Sequence, residues 1–248
     1  MKTIAAFKKS AIPLISGMVL LLLGCLNPHV SSGQDWPVSF DGASALKPAQ
    51  LEISLYGAGS YYTAKYSGKS HSGTTGYTPG LRVGVGIVKN FDVKLGYSRG
   101  FYKYSTRLED SKVNNILIMP KVSFLKEHLA CQLPFTVMVA GWSYEGQSKT
   151  ETYYLLSPRI IGTIRIRQIF EINLSPVFEA FIPGHGVDPS YFIGGNVGMA
   201  FSTNLRRWSV RPEGFISYYL PHADQSGYKF INYGWGLAFT YNIDFKKE

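Results

Sequence analysis

The chain has 248 residues, of which 25 are Lys or Arg and 16 are Asp or Glu, so its formal net charge is +9. Hydrophobic residues make up 45% and charged residues only 17%, and the 15% of aromatic residues excludes a disordered chain. Two cysteines are too few for a disulfide scaffold or a four-cysteine zinc site. No run of about twenty apolar residues occurs, which excludes a bundle of transmembrane helices.

Residues 1–33 are predicted to be a signal peptide that is removed on export. Lys2, Lys8 and Lys9 come first, an apolar run follows at 11–23, and small residues come last. This order is typical of a secretory signal, and the run is too short to span a bilayer comfortably, although a retained membrane anchor is the alternative. Cleavage before Gln34 is favoured over lipid attachment at Cys25.

Cleavage would leave 22 basic and 16 acidic residues, a formal charge of +6, with Cys131 as the remaining cysteine. We expect an exported basic chain to contact anionic outer-membrane lipids and lipopolysaccharide phosphates, and no nucleic acid. Residues 34–50 contain Pro and Gly and show no periodic pattern. We interpret them as a periplasmic leader segment.

The segment 231–245 shows the clearest periodic pattern in the mature chain. Its odd positions are large and apolar or aromatic, among them Trp235 and Phe239, whereas its even positions are small or polar. Strict alternation of this kind predicts a β-strand with one bulky face, and the same contrast recurs at 81–88. In a membrane barrel the bulky face meets lipid, which assigns four lipid-facing residues: Val85, Trp235, Leu237 and Phe239.

Ten strands are predicted, at 51–66, 80–88, 91–104, 112–124, 129–142, 152–163, 169–181, 191–203, 208–220 and 228–245. Their connections alternate in kind. Short, mostly basic ones lie at 89–90, 125–128, 164–168 and 204–207, and mostly longer ones rich in Gly, Ser, Asp and Pro lie at 67–79, 105–111, 143–151, 182–190 and 221–227.

Membrane barrels sort their turns in this way, with tight periplasmic turns and longer outer loops. Strand edges in lipid must all be paired, so a sheet that crosses the membrane has to close. Residues 51–248 are therefore predicted to form an all-β, closed, antiparallel up-and-down transmembrane β-barrel of about ten strands. A soluble sandwich or a lipocalin-like can is the alternative.

Charged residues on the small-residue face of these strands are predicted to point into the lumen. Isolated charges in a narrow lumen are costly, so we expect ion pairs or water between them. A structural charge network is the favoured interpretation, and a small pore lined by mixed charge is the alternative. The predicted network has seven members: Arg82, Asp92, Lys94, Glu171, Glu179, Arg211 and Glu213.

The segments 82–97, 114–134 and 211–219 resemble the hairpins of uncharacterised outer-membrane β-barrel proteins of Gram-negative envelopes. The resemblance covers residues 80–245. It implies location in the cell outer membrane and a barrel assembly machinery as partner. Many such barrels end on an aromatic residue, whereas here Phe245 is followed by three charged residues.

The function predicted is that of a non-enzymatic envelope barrel, either structural or a narrow, porin-like passive conduit, without cofactor or metal. One alternative is an outer-membrane barrel enzyme that acts on lipid A or a surface lipid at the outer rim. His185, His222 and Ser226 would be its weak catalytic candidates, because a His/Ser/acid set can hydrolyse an acyl ester. The other alternative is a soluble periplasmic lipid-binding β-can.

Overall fold

The computed structural model describes residues 38–66, 69–102, 111–144, 147–184, 188–221 and 228–245. These residues are mostly β-strand, with one short 3-10 turn at Leu125–Glu127. Within these ranges no helix has the length and hydropathy needed to cross a membrane. The predicted signal peptide at 1–33, including Cys25, and the cleavage point before Gln34 lie outside the described residues.

The strands follow one another along the chain without an intervening α-helix in the described ranges. They are β1 (Gln50–Tyr66), β2 (Lys69–Val88), β3 (Phe91–Tyr102), β4 (Ser111–Phe124), β5 (Leu129–Gln132), β6 (Phe135–Tyr144), β7 (Gln147–Leu156), β8 (Arg159–Ile166), β9 (Phe170–Pro183), β10 (Ser190–Phe201), β11 (Trp208–Leu220) and β12 (Lys229–Asp244).

The strands form one closed ring. β1 pairs antiparallel with β2 on one side and with β12 on the other, which joins the first strand to the last. β4 pairs with both β5 and β6, and β9 pairs with both β7 and β8, so β5–β6 and β7–β8 each form one interrupted wall strand. The wall therefore has ten strands, and the predicted all-β, closed, antiparallel up-and-down barrel is confirmed.

Successive connections between wall strands lie at opposite ends of the barrel, and we call one end the turn end and the other the loop end. Residues 89–90, 125–128, 167–169 and 202–207 join strands at the turn end, close to the predicted positions. Two predicted loops at the loop end are wrong. Residues 67–79 and 143–151 are largely strand, because β1–β2 stay paired up to Tyr66↔Lys69 and β6–β7 up to Tyr144↔Gln147.

The prediction failed because local composition favours a loop in these segments, whereas a neighbouring strand is available to pair with them. Gly, Ser and Thr favour loops in an isolated segment, but in a hairpin each residue also gains backbone hydrogen bonds to its partner strand. Tyr61 stacks on Tyr233 of β12 with ring centroids 5.9 Å apart, which adds a cross-strand aromatic contact near the loop end.

Alternation along the strands separates an apolar outer face from an inner face. Val85 and Trp235 are exposed on the outside of the barrel, and Leu237 and Phe239 are half-buried on the same face of β12. The alternate residues of β12, such as Ala238, are buried inside. The bulky side chains therefore turn outward, as the alternation predicts.

We call residues 38–49 the plug segment: residues 38–46 lie inside the barrel, and residues 47–49 are exposed where the segment leads into β1. The sequence predicts a periplasmic leader at 34–50, whereas Val38, Phe40 and Ala43 are buried within the ring. Close approach to the wall is possible because glycine stands there: a Cβ on Gly86 would collide with the main-chain carbonyl of Lys47. The sequence pattern could not reveal this placement, because the segment is not periodic.

Adding one methyl group at Gly86 tests how tightly the plug segment is seated. We expect Gly86→Ala to lower the free energy of unfolding by about 1–3 kcal/mol, because the clash is with backbone and the segment must shift. Urea titration of the refolded barrel in detergent measures this. Gly141→Ala is the matched control, since its Cβ would lie 3.9 Å from the nearest atom. Equal stability of the two variants would contradict close packing of the plug segment against Gly86.

Candidate functional site

The plug segment is held at its first residues by a carboxylate on β11. The main-chain N–H groups of Ser39 and Phe40 donate to Glu213 at 2.5 Å and 2.6 Å. Asn196 of β10 donates to the same carboxylate at 2.7 Å. One buried side chain thus accepts three hydrogen bonds, which satisfy its buried oxygen atoms.

A guanidinium on β2 holds the same residues from the other side. Arg82 donates to the carbonyl groups of Ser39 at 2.5 Å and Val38 at 3.0 Å. Its guanidinium lies 4.8 Å from the ring centroid of Tyr56 and 5.8 Å from that of Phe40. The planar cation therefore satisfies main-chain acceptors and stacks against aromatic rings at the same time.

Asp41 is the charged centre of the plug segment. Its carboxylate contacts Lys94 at 3.2 Å and Lys121 at 2.9 Å, and it accepts a hydrogen bond from Gln132 at 2.9 Å. Burial disfavours the ionised form, but the two ammonium groups outweigh burial and hold the pKa of the Asp41 carboxyl well below its usual range. Asp41 is therefore ionised inside the barrel.

The two lysines beside Asp41 also bind carboxylates of the wall. Lys94 contacts Glu52 of β1 at 2.5 Å, and Lys121 contacts Asp92 of β3 at 3.3 Å. Asp92 accepts the main-chain N–H of Leu46 at 2.9 Å. The charges form one connected network from β1 to β4, and the plug segment lies at its centre.

Strands β8 and β4 bind the next residues of the plug segment. The N–H of Ala43 donates to the hydroxyl of Thr163 on β8 at 2.7 Å. Lys121 donates to the carbonyl group of Ser44 at 2.7 Å, and Ser123 donates to that of Ala43. Because wall strands on opposite sides of the lumen bind the same short segment, the turn-end half of the lumen is filled.

A second ion pair joins β9 to β11 across one intervening strand. Arg211 contacts Glu171 at 2.8 Å, and Arg165 contacts the same carboxylate at 3.4 Å. Glu179 accepts a hydrogen bond from Ser217 at 3.2 Å. These contacts lie on the inner face of the wall, beside the plug segment.

The structure places all seven residues of the predicted charge network inside the barrel. Six are buried, and Arg211 is half-buried. Six of the seven contact the plug segment or one another, and Glu179 contacts Ser217. Other members were missed by the sequence analysis: Asp41, Glu52, Lys121, Arg159 and Arg165.

Two of the missed residues, Lys121 and Arg159, lie where the alternation of the two faces is obscured. Lys121 lies on β4, where Leu117 and Met119 are buried inside and Ile118 is exposed outside, so both faces are apolar and the contrast that marks the lumen is absent. Arg159 follows the interruption between β7 and β8, which hides its phase. Glu52 could have been found, since it alternates with outward-facing residues on β1.

The lumen towards the loop end contains two apolar clusters beside buried polar side chains such as Asn115 and Asn232. Phe192 and Phe215 pack with Phe40 of the plug segment and Tyr56 in one cluster. A second cluster includes Met138 and Leu155, together with Val113. Apolar and polar side chains, Glu179 among them, therefore fill this part of the lumen together.

The weak catalytic candidates His185, His222 and Ser226 lie outside the described residues, so their arrangement stays a prediction. Within the described ranges, no group of three or more His, Cys, Asp or Glu side chains is placed to hold a metal ion. The chemistry visible in the described lumen is hydrogen bonding and ion pairing that fix a main-chain segment.

Comparison with known proteins gives structural similarity only. No protein-family model matches the chain, and no curated protein matches it in sequence.

Among solved structures, the chain is similar to Ail, the attachment invasion locus protein of Yersinia pestis, at 12% identity and a TM-score of 0.38, with 78% of this chain and 99% of Ail covered. It is similar to the outer membrane protease OmpT of Escherichia coli at 9% identity and a TM-score of 0.43, covering 82% and 100%. The translocator domain of the autotransporter NalP of Neisseria meningitidis matches at 12% identity and a TM-score of 0.42, covering 94% and 97%.

Replacing Asp41 tests the charged centre of the plug segment. We expect Asp41→Asn to cost about 3–5 kcal/mol of unfolding free energy, because two buried ammonium groups lose a carboxylate. Urea titration measures the change. Lys149→Met is the control: it removes an ion pair with Glu151 in which the lysine side chain is 58% exposed, and should cost about 0–1 kcal/mol. A loss of unfolding free energy for Asp41→Asn no larger than that of the control would contradict a central role of Asp41 in the charge network.

Proposed function

We propose that this protein is a non-enzymatic barrel of the cell outer membrane whose own plug segment seals the lumen, so that its role in the envelope is structural. The observation that carries the proposal is the set of contacts made by residues 38–49. Glu213 and Arg82 hold the main chain of Ser39, and Asp41 contacts Lys94 and Lys121. A narrow passive conduit would require these contacts to break and the plug segment to move.

Membrane location is supported by the outer surface of the barrel. Leu95, Ile116 and Ile164 are 59%, 60% and 62% exposed, and many further large apolar side chains are exposed around the ring. Soluble proteins rarely expose so continuous an apolar surface, whereas a lipid-facing wall requires it. This surface disfavours the soluble periplasmic β-can.

The proposed partners are the outer-membrane lipids and lipopolysaccharide around the wall, and a barrel assembly machinery that inserts it. A ring whose backbone groups are paired strand to strand meets the requirement that lipid imposes. The enzyme alternative depends on rim residues outside the described ranges, and no contact among the described residues favours it.

Conductance measurements test the sealed lumen. Refolded wild-type protein in planar bilayers should show no conductance steps above background, because charged wall residues and main-chain groups of the plug segment bind each other across the lumen. The double variant Asp41→Asn/Glu213→Gln should show intermittent steps, since both carboxylate anchors of the segment are weakened. Heat-modifiable gel migration confirms folding of each sample. Steady steps from wild-type protein would overturn the sealed-lumen proposal.

An arginine placed on the outer face tests the membrane location. We expect Val85→Arg to cost about 2–4 kcal/mol of unfolding free energy in lipid vesicles, because the charge would lie at hydrocarbon depth. Leu125→Arg is the control: it lies in a turn-end connection and is 72% exposed, so its cost should be about 0–1 kcal/mol. Equal, small costs for both would contradict a lipid-facing wall.

A further inference from the structure

Two neighbouring connections at the turn end are hydrogen-bonded to each other. They are residues 167–169, between β8 and β9, and residues 202–207, between β10 and β11. The N–H of Leu205 donates to the carbonyl group of Gln168 at 2.9 Å, and the N–H of Ser202 donates to that of Ile169 at 2.9 Å. The backbones of the two connections are therefore held side by side and form one surface.

This surface carries three exposed cations. Arg167 lies in the first connection, and Arg206 and Arg207 lie in the second; all three side chains are exposed. None of the three forms an ion pair with a residue in the ranges that the structure describes. We call these residues the arginine patch. Like charges held close together favour the binding of an anion.

Among the described residues, no acid neutralises the patch. Glu171 of β9 points into the lumen, where it contacts Arg211 at 2.8 Å. Glu127 is exposed at the turn end and contacts Arg165 at 3.5 Å. Asp244, at the end of β12, is exposed and has no ion-pair partner in the described ranges. The positive charge of the patch is therefore left for a ligand.

The outer face of the wall next to the patch is apolar and aromatic. Ile169 and Phe201 are exposed there. Phe201 pairs with Phe170 across the strands, and their ring centroids are 5.0 Å apart. Trp208, the next residue after the second connection, packs against the outward-facing Phe239 with ring centroids 6.3 Å apart. The surface thus changes from apolar to cationic within a few residues, as expected where a protein meets both the acyl chains and the headgroup of a lipid.

We propose that the arginine patch binds the headgroup phosphate of an anionic phospholipid, whose acyl chains lie on the apolar side chains beside it. A guanidinium group donates in a planar fork that matches phosphate oxygens. The tight turns of an outer-membrane barrel face the periplasm, and the leaflet on that side is phospholipid, which favours this source of phosphate over lipopolysaccharide. The inference rests on the proposed location in the outer membrane.

Fluorescence quenching by brominated lipids tests the site. The variant Trp36→Phe/Trp142→Phe/Trp235→Phe keeps Trp208, beside the patch, as its one tryptophan. It is refolded in vesicles of phosphatidylcholine and phosphatidylglycerol, in which one lipid or the other carries bromine. Comparison of the two quenching curves gives the binding constant of phosphatidylglycerol relative to phosphatidylcholine at this position. We expect a ratio of about two to ten in favour of phosphatidylglycerol, and a lower ratio at high salt.

Removal of the three charges should abolish the preference. In the same background, Arg167→Gln/Arg206→Gln/Arg207→Gln should lower the ratio to about one, because glutamine keeps hydrogen-bonding groups but loses the charge that selects the anion. Arg167→Lys/Arg206→Lys/Arg207→Lys keeps the charge and should retain a ratio above one. Heat-modifiable gel migration checks the fold of each variant.

A matched control removes the same number of charges from the loop end. Lys65, Lys69 and Lys229 are exposed there, on β1, β2 and β12. The variant Lys65→Gln/Lys69→Gln/Lys229→Gln should leave the ratio at Trp208 unchanged, since net charge alone does not set it. A variant that keeps Trp235 instead of Trp208 should give a ratio of about one, because Trp235 lies on the wall away from the patch.

Three results would overturn the proposal. Equal quenching of Trp208 by the two brominated lipids would remove the anion site and leave the proposed membrane location intact, because both lipids would then reach the wall. Displacement of brominated phosphatidylglycerol by less lipopolysaccharide than unbrominated phosphatidylglycerol would assign the patch to the other lipid. Absence of quenching by either lipid would contradict the membrane location itself, and the phospholipid site with it.

Discussion

Backbone pairing around a closed ring is the constraint on which the rest of this structure depends. Each wall strand pairs with two neighbours, and β1 joins β12 over almost its whole length, from Gln50↔Asp244 to Lys65↔Lys229. Closure leaves no sheet edge that needs another partner. It also forces alternate side chains inward, which creates a lumen that something must fill.

The lumen is filled in two chemically different ways. Towards the turn end, carboxylates and cations of the wall bind the main chain and Asp41 of the plug segment. Towards the loop end, aromatic and aliphatic side chains pack against one another and against Phe40. Buried charges are costly alone but tolerable when each has partners, and Asp41 of the plug segment supplies one partner to both Lys94 and Lys121.

A row of three prolines in the wall shows how the same pairing constraint produces a local exception. Pro120, Pro134 and Pro158 each accept one hydrogen bond and donate none, so the wall keeps its register while losing three return bonds. An apolar groove lies on the outer face of the wall there.

The sequence by itself determined the strands and their two faces, because a strand has a period of two and the bulky residues at positions such as Val85 and Trp235 follow it strictly. It also determined that Arg82, Lys94 and Glu213 belong to the small-residue face. Where both faces are apolar, as on β4 around Lys121, the pattern carries no phase and the residue was missed.

Only the tertiary structure decided which partners meet. Residues 38–49 have no period, so their place inside the ring depends on contacts with strands far away in sequence, such as that of Phe40 with Glu213. The alignment of three prolines into one row likewise depends on strand register, which is a property of pairs of strands. Composition predicted loops at 67–79 and 143–151, but a hairpin partner for each backbone group made most of those residues strand, because paired backbone groups outweigh a local preference for turns.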